Sequence, residues 1–182
     1  MLITHRHHGT FGTGSTAPPR PAALTIEVGA AVGVGSTRIS AFDAALRELG
    51  VGEANLIRLS SVIPPYATIE RTRRVRRPIV WGDRLYCVYA VEFAETEGAT
   101  AAAGIGWTVR DDGSGAGLFV EHEAETARQV DELIHQSLTE MTAARAGVFG
   151  PVCTSTVAAT SDGRPTCALA LAAYHTAGWN QP

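Results

Sequence analysis

The chain has 182 residues, of which 45% are hydrophobic and 18% are charged, and its formal net charge is −3. This balance is typical of one ordinary globular domain and excludes a disordered or fibrous chain. All 15 basic residues are arginine, but 18 acidic residues offset them. The composition therefore lacks the excess of positive charge that is typical of general nucleic-acid binding.

No apolar run reaches the roughly 18 residues that a membrane helix needs, and the N-terminus lacks the basic-then-apolar layout of a secretory signal. We therefore expect a cytoplasmic protein without a membrane partner. Cys87, Cys153 and Cys167 are widely spaced and odd in number, which favours reduced side chains over a disulfide framework or a zinc pair. We expect no metal site.

Residues 1–22 are rich in glycine, proline, threonine and histidine, and we predict a disordered tail there. His5, His7 and His8 could bind a metal, but a histidine-rich tip without carboxylates more often carries no specific site. Residues 23–182 form a single predicted domain.

The first predicted strand of this domain begins at Leu24, where apolar and polar residues alternate. The stretch GAAVGVGS that follows has neither the glycine order of a dinucleotide-binding loop nor the lysine of a phosphate-binding loop. We interpret it as a tight turn that lets the backbone approach another backbone or a ligand closely. A short helix is predicted next, with Ser40 as its N-cap, Asp43 in its first turn and Gly50 as its stop.

The remaining pattern predicts mostly strands. Strands are predicted at residues 54–62, 85–93, 99–109, 117–120, 152–159 and 166–174, and a long helix at residues 121–146. Strands and helices that mix without strict βαβ alternation favour an α+β fold.

Two adjacent serines, Ser60 and Ser61, lie in the segment GVGEANLIRLSSVIPP. Taken alone, they indicate an ordinary strand end. With AFDAAL upstream and WGDRLYCVYA and GLFVEHE downstream, however, the segment resembles the signature of pyruvoyl-dependent arginine decarboxylases. The resemblance covers the whole predicted domain.

The resemblance implies a four-layer α/β/β/α sandwich of the pyruvoyl-dependent histidine and arginine decarboxylase type. It also implies a homotrimer or a dimer of trimers, with active sites between subunits. The chain would cleave itself between Ser60 and Ser61, leaving a covalent pyruvoyl group derived from Ser61. That group would form a Schiff base with L-arginine and accept the electrons released with CO2, which yields agmatine without a metal or pyridoxal phosphate.

The same resemblance assigns roles to individual residues. Ser61 becomes the pyruvoyl group, Asn55 assists near the cleaved bond, Glu121 supplies a proton to the substrate, and Asp43 binds the distal cation of the substrate. The positions that resemble pocket lining are Leu46, Gly52, Ala54, Ser60 and Val62. From the residues alone, helix-end stabilisation explains Asp43 and Glu121 equally well, a turn contact explains Asn55, and an ordinary core explains the lining positions.

Glu53, Tyr66 and His122 depart from the family pattern. Because Glu53 and Tyr66 flank the proposed pocket, one alternative is the same chemistry on a different amino acid. Another is a non-catalytic paralogue that serves as a binding or scaffold protein. The arginines of residues 71–77 are typical of a solvated loop or of a surface facing an acidic neighbour, and they lack the interleaved aromatic residues of a nucleic-acid surface.

Overall fold

The computed structural model describes residues 24–179. The predicted tail at residues 1–22, with His5, His7 and His8, lies outside the described residues. The strands within them are β1 (Thr25–Val34), β2 (Asn55–Arg58), β3 (Val62–Ile63), β4 (Thr68–Arg71), β5 (Arg84–Ala94), β6 (Thr100–Val109), β7 (Gly117–Ala124), β8 (Cys153–Thr160) and β9 (Thr166–Ala177), and the helices are α1 (Arg38–Leu49) and α2 (Ala127–Ala143). This mixture confirms the predicted α+β class.

The strands form two sheets, one with five strands in the order β2-β5-β9-β1-β4 and one with four in the order β3-β7-β6-β8. In the five-stranded sheet, β9 is antiparallel to β1 and β5, whereas the outer strands β4 and β2 are parallel to their neighbours. Every pairing in the four-stranded sheet is antiparallel. The chain therefore passes between the sheets after β2, after β3, after β5 and after β8.

The glycine-rich stretch is not a turn, because residues 29–34 continue β1 and pair with β9. The predicted turn is wrong, but the predicted close approach of another backbone is confirmed, because small residues also extend a strand where such an approach occurs. A Cβ atom on Gly33 would lie 2.1 Å from the carbonyl oxygen of Ala41 and 2.3 Å from the amide nitrogen of Ala45, both in α1. The absence of a side chain at Gly33 thus lets α1 pack directly on β1.

Helix α1 begins earlier than predicted. Its N-cap is Thr37, whose side chain accepts a hydrogen bond from the Ser40 amide, and the Ser40 side chain completes the reciprocal capping box. Gly50 ends the helix with a φ of 85°, as predicted. Asp43 consequently lies in the second turn and not in the first, so stabilisation of the helix dipole does not account for it.

The strand predicted over residues 54–62 is two strands in different sheets. Strand β2 pairs with β5 in the five-stranded sheet, and β3 pairs with β7 in the four-stranded sheet. Residues 59–61, which we call the crossover segment, join them. The apolar pattern could not reveal the break because it continues through both strands.

Strand β7 continues to Ala124, so Glu121 belongs to a strand and not to the helix predicted over residues 121–146. Helix α2 begins after the N-cap Thr126. The helix-end explanation for Glu121 is therefore wrong. The predicted strands at 85–93, 99–109, 152–159 and 166–174 are confirmed by β5, β6, β8 and β9, whereas the short polar strand β4 was not predicted.

Four apolar clusters of the described residues hold these elements together. Of the three largest, one joins α1 to β1, β5 and β9, and another joins α2 to β6 and β7. A third contains Ile26, Phe119 and Tyr174 and joins strands of the two sheets. Between residues 24 and 179, no helix is long and apolar enough to cross a membrane.

The arginine run at residues 71–77 lies mostly in an exposed loop after β4, as predicted, and three of its arginines also anchor that loop to the fold. Arg76 and Arg77 both bind the buried carboxylate of Glu27. Arg74 donates from Nη1 to two carbonyl oxygens at the end of α1, at 2.9 and 3.0 Å. The run therefore fastens the segment after β4 to β1 and to α1.

Candidate active site

The crossover segment places Ser61 against Glu121 of β7. The Ser61 Oγ atom donates to Glu121 Oε1 at 2.5 Å, and both side chains are partly buried. The carbonyl oxygen of Ser61 accepts a hydrogen bond from the Phe119 amide at 2.8 Å. A hydroxyl and a carboxylate that are 60 residues apart in sequence are therefore neighbours within one chain.

The Ser61 backbone is in the left-handed region, with a φ of 64°. A residue with a side chain adopts this conformation at a cost of about 1–3 kcal/mol, and only where its surroundings enforce it. Here the surroundings are both sheets. The Leu59 amide binds the Cys87 carbonyl of β5 at 2.9 Å, while β3 pairs with β7 immediately after Ser61.

Alternation along β7 decides which way the Glu121 side chain points. Phe119, two residues earlier, packs in the cluster between the sheets, so Glu121 lies on that same inner face. His122 lies on the opposite face, where its Nε2 atom is 2.8 Å from Ser137 Oγ of α2. His122 is therefore a contact to α2 and not a member of the Ser61 site.

Tyr174 of β9 borders this site, although the sequence pattern predicted only a strand there. Its hydroxyl donates to the Val62 carbonyl oxygen at 3.1 Å. Burial, followed by the negative charge of Glu121, raises the pKa of Tyr174 above its ordinary value. The available signal was a single phenol at the end of the otherwise apolar run CALALAAY, since buried tyrosines usually need a hydrogen-bond partner.

A cavity of about 430 Å³ lies beside α1, and we call it the α1 cleft. Its lining residues are Asp43, Arg47, Gly52, Glu53, Ala54, Asn55, Trp81 and Gly82. Four predicted site residues thus meet here, together with Glu53, which departs from the family pattern. Trp81, which is 83% exposed, was missed as a site residue.

The charges in the α1 cleft are unevenly balanced. Arg47 Nε lies 2.8 Å from Asp43 Oδ2, in an exposed pair one helical turn apart. Such pairs contribute only about 0.5 kcal/mol, so another cation can compete for Asp43. Glu53 adds a second carboxylate, which leaves the cleft with one negative charge in excess. The exposed indole of Trp81 adds an aromatic face, and such a face attracts cations.

Asn55 is a structural element of the α1 cleft. Its side-chain Nδ2 donates to the Gly82 carbonyl oxygen at 2.7 Å, and Trp179 Nε1 donates to the same oxygen at 2.8 Å. These two bonds hold the loop that carries Trp81. In this chain, therefore, the Asn55 amide faces that loop.

The other predicted residues are divided between the two places. Leu46 is buried in the apolar cluster under α1. Ser60 is exposed in the crossover segment, and Val62 is 56% exposed directly after Ser61. Tyr66 is an exposed residue beyond β3. Within one chain, Ser61 and the α1 cleft are thus separate, since Ser61 does not line the cleft.

The cysteines form no disulfide, because all three are free thiols. Burial raises the pKa of both Cys87 and Cys167 to about 12, which keeps them protonated and unreactive. Among the residues that the structure describes, no group of three His, Cys, Asp or Glu side chains is arranged to hold a metal ion.

Comparison with known proteins supplies an independent finding. Residues 25–178 match the family described as pyruvoyl-dependent arginine decarboxylase. Similar proteins with that name include one from Methanococcus maripaludis, 35% identical over 111 residues that cover 61% of this chain and 65% of the relative. Another, from Thermococcus sibiricus, is 36% identical over 61% of this chain and 69% of the relative. A third, from Thermococcus kodakarensis, is 32% identical over 79% of this chain and 90% of the relative.

Proposed function

The chain belongs to the pyruvoyl-dependent arginine decarboxylase family, and from this premise we propose that it cleaves itself between Ser60 and Ser61 and then converts L-arginine to agmatine and CO2. The observation that carries the proposal is the 2.5 Å contact between Ser61 Oγ and Glu121 Oε1 at a strained crossover between two sheets.

The strained backbone of Ser61 favours self-cleavage. The Ser61 hydroxyl attacks the carbonyl carbon of Ser60, the peptide C–N bond breaks, and the released nitrogen takes the hydroxyl proton, which leaves an ester. Loss of the Ser61 α-proton then expels the Ser60 carboxylate and leaves dehydroalanine, which one water molecule converts to a pyruvoyl group and ammonia. The left-handed φ of Ser61 disappears with its N–Cα bond, so cleavage releases that strain.

The residues around position 61 fit a pyruvoyl group. The Phe119 amide holds the carbonyl oxygen of residue 61, which the reaction retains, and Glu121 lies within hydrogen-bond distance of the side chain at that position. A pyruvoyl group supplies an electrophilic ketone that draws electrons from an amino acid as CO2 leaves. The contact between Glu121 and position 61 supports the proposal that Glu121 delivers a proton to the carbon that loses its carboxylate.

The α1 cleft supports a substrate with a cationic end. Asp43 and Glu53 offer carboxylates to a guanidinium group, and the exposed face of Trp81 can stack on it. Because Ser61 does not line this cleft, we propose that the cleft of one subunit serves position 61 of another. A homotrimer or a dimer of trimers provides such shared sites, and the three largest apolar clusters support a four-layer α/β/β/α order within each subunit.

Intact-mass measurement tests the cleavage. We expect two fragments that divide between Ser60 and Ser61, with the second fragment blocked to amine-end sequencing. A single full-length chain after prolonged incubation contradicts the proposal and favours the non-catalytic paralogue. Release of CO2 from arginine, compared with ornithine, lysine, histidine and aspartate, tests the substrate. If the cleaved protein prefers another of these amino acids, the proposed chemistry stands but arginine is not its substrate.

A further inference from the structure

Tyr174 lies where the residues after Ser61 meet the five-stranded sheet, and the mechanism above does not use it. The residue is 5% exposed, and its ring packs edge-on against Phe119 with the ring centroids 5.9 Å apart. Its hydroxyl donates to the Val62 carbonyl oxygen at 3.1 Å. The hydroxyl is therefore fixed on the backbone of the residue that follows the reactive serine.

The Val62 carbonyl needs a partner because β7 does not supply one. The Phe119 amide donates to the Ser61 carbonyl, so Ser61 and Phe119 form a hydrogen-bonded pair of the antiparallel ladder. Pairs alternate along such a ladder, and the next pair, Val62 with Leu118, is therefore a non-hydrogen-bonded pair. The backbone groups of Val62 point away from β7, and the hydroxyl of Tyr174 satisfies the carbonyl.

Cleavage changes what holds position 61. In the uncut chain, Ser61 is tied on its N-terminal side through Leu59, whose amide binds the Cys87 carbonyl at 2.9 Å. Once the bond between Ser60 and Ser61 is cut, residue 61 begins a new chain and that tie no longer reaches it. Chain ends fray unless they are tied down, and β3 contributes a pairing of two residues.

We propose that Tyr174 is a positioning residue, whose hydroxyl holds Val62 so that position 61 stays against Glu121 after the chain is cut. The inference rests on the proposed function. Because the uncut chain has the additional tie through Leu59, the Tyr174 hydroxyl matters more for turnover than for cleavage.

The substitution Tyr174→Phe tests this role, because it keeps the ring and removes the hydroxyl. Tyr86→Phe, on the neighbouring strand β5, is the matched control. We expect Tyr174→Phe to be cleaved to the wild-type extent, and its kcat to fall about ten- to hundredfold while KM for arginine changes less than about threefold. After cleavage, hydrogen exchange at the start of the C-terminal fragment should be faster in Tyr174→Phe than in the wild-type protein. In uncut chains that carry Ser61→Ala, adding Tyr174→Phe should leave the exchange rate unchanged.

Several results would overturn the role. One is a kcat of Tyr174→Phe equal to that of the wild-type protein. Another is a hydrogen-exchange rate after position 61 that is the same in cleaved and in uncut chains of the variant. A folded Tyr174→Phe chain that is not cleaved assigns the hydroxyl to maturation instead. If Tyr174→Phe does not fold, the wild-type protein provides the test. The role requires that the residues after position 61 exchange their amide hydrogens as slowly in the cleaved wild-type protein as in uncut Ser61→Ala. A wild-type chain that never cleaves overturns the proposed function itself, which is a different result from a cleaved enzyme indifferent to Tyr174.

Discussion

The crossover segment and the arginine run each bring a carboxylate below the surface, but they give it opposite partners. At the crossover, Glu121 meets the hydroxyl of Ser61. In the arginine run, Glu27, which is 4% exposed, meets the guanidinium groups of Arg76 and Arg77. A carboxylate between permanent cations is fixed as a charge and serves the fold, whereas Glu121, which has no cation of this kind beside it among residues 24–179, contacts the hydroxyl that we propose is consumed in self-cleavage.

The pKa of Glu27 expresses this difference. Burial, the largest influence, raises it, but the hydrogen bonds from Arg76 and the charges of Arg77 and Arg76 together outweigh burial and leave the pKa below its usual value. Arg77 also donates to the carbonyl oxygens of Tyr174 and Thr25, each at 2.7 Å. Substitutions in the two regions should therefore separate activity from stability.

The largest effect is expected from Ser61→Ala, which removes the attacking hydroxyl. Self-cleavage and decarboxylation should both be lost, while the melting temperature changes little. Intact mass and CO2 release measure these outcomes. Ser60→Ala is the matched control, because the exposed Ser60 hydroxyl is not the nucleophile and two fragments should still form. Fragments from Ser61→Ala would show that another group cuts the chain.

Next comes Glu121→Gln, which keeps the shape of the side chain but removes the proton donor. We expect cleavage to proceed and kcat to fall by about 100-fold or more. Steady-state kinetics on the cleaved protein measure the effect. Glu123→Gln, on the same strand but exposed, should behave like the wild-type protein. Normal turnover in Glu121→Gln would remove Glu121 from the mechanism.

For the arginine run, Glu27→Gln should reduce stability by about 3 kcal/mol near neutral pH, because two guanidinium groups lose their buried partner. The folded-state pKa of Glu27 is lowered from 4.5, so its contribution is complete above that pH and is lost as the pH falls through the lower folded value. The difference in unfolding free energy from the wild-type protein should therefore shrink below about pH 4.5.

Denaturant titrations across this pH range measure the change in unfolding free energy. Glu70→Gln is the control, since Glu70 also binds Arg76 but is exposed, and it should cost less than about 1 kcal/mol. A difference for Glu27→Gln that stays constant as the solution is acidified would contradict the assignment of its effect to charge.

The smallest effect is expected in the α1 cleft, where the charges are exposed. Glu53→Gln should raise KM for arginine about three- to fivefold without changing kcat, because an exposed ion pair contributes at most about 1 kcal/mol. Arg47→Met should lower KM about twofold by freeing Asp43. Glu48→Gln, on an exposed position of α1, is the control. An unchanged KM in both cleft variants would show that the guanidinium group of the substrate does not bind in the α1 cleft.

Local signals predicted much of the secondary structure. Gly50 stops α1, and six of the seven predicted strands are present, because caps and apolar alternation depend on neighbouring residues. Local signals failed where two elements meet. The glycines of β1 were interpreted as a turn because the sequence does not show that α1 packs against them. The break between β2 and β3 was missed because both strands share one apolar run.

By itself, the sequence identified Ser61 as the candidate nucleophile and Asp43 and Glu121 as its acidic companions only through the resemblance of a short ordered motif to a known family. Only the tertiary structure decided that Glu121 lies against Ser61, that Tyr174 holds the next residue, and that Asp43 and Asn55 lie in a separate cleft. The physical reason is strand register: it brings residues 60 positions apart into contact, and it depends on how sheets pair rather than on any local pattern.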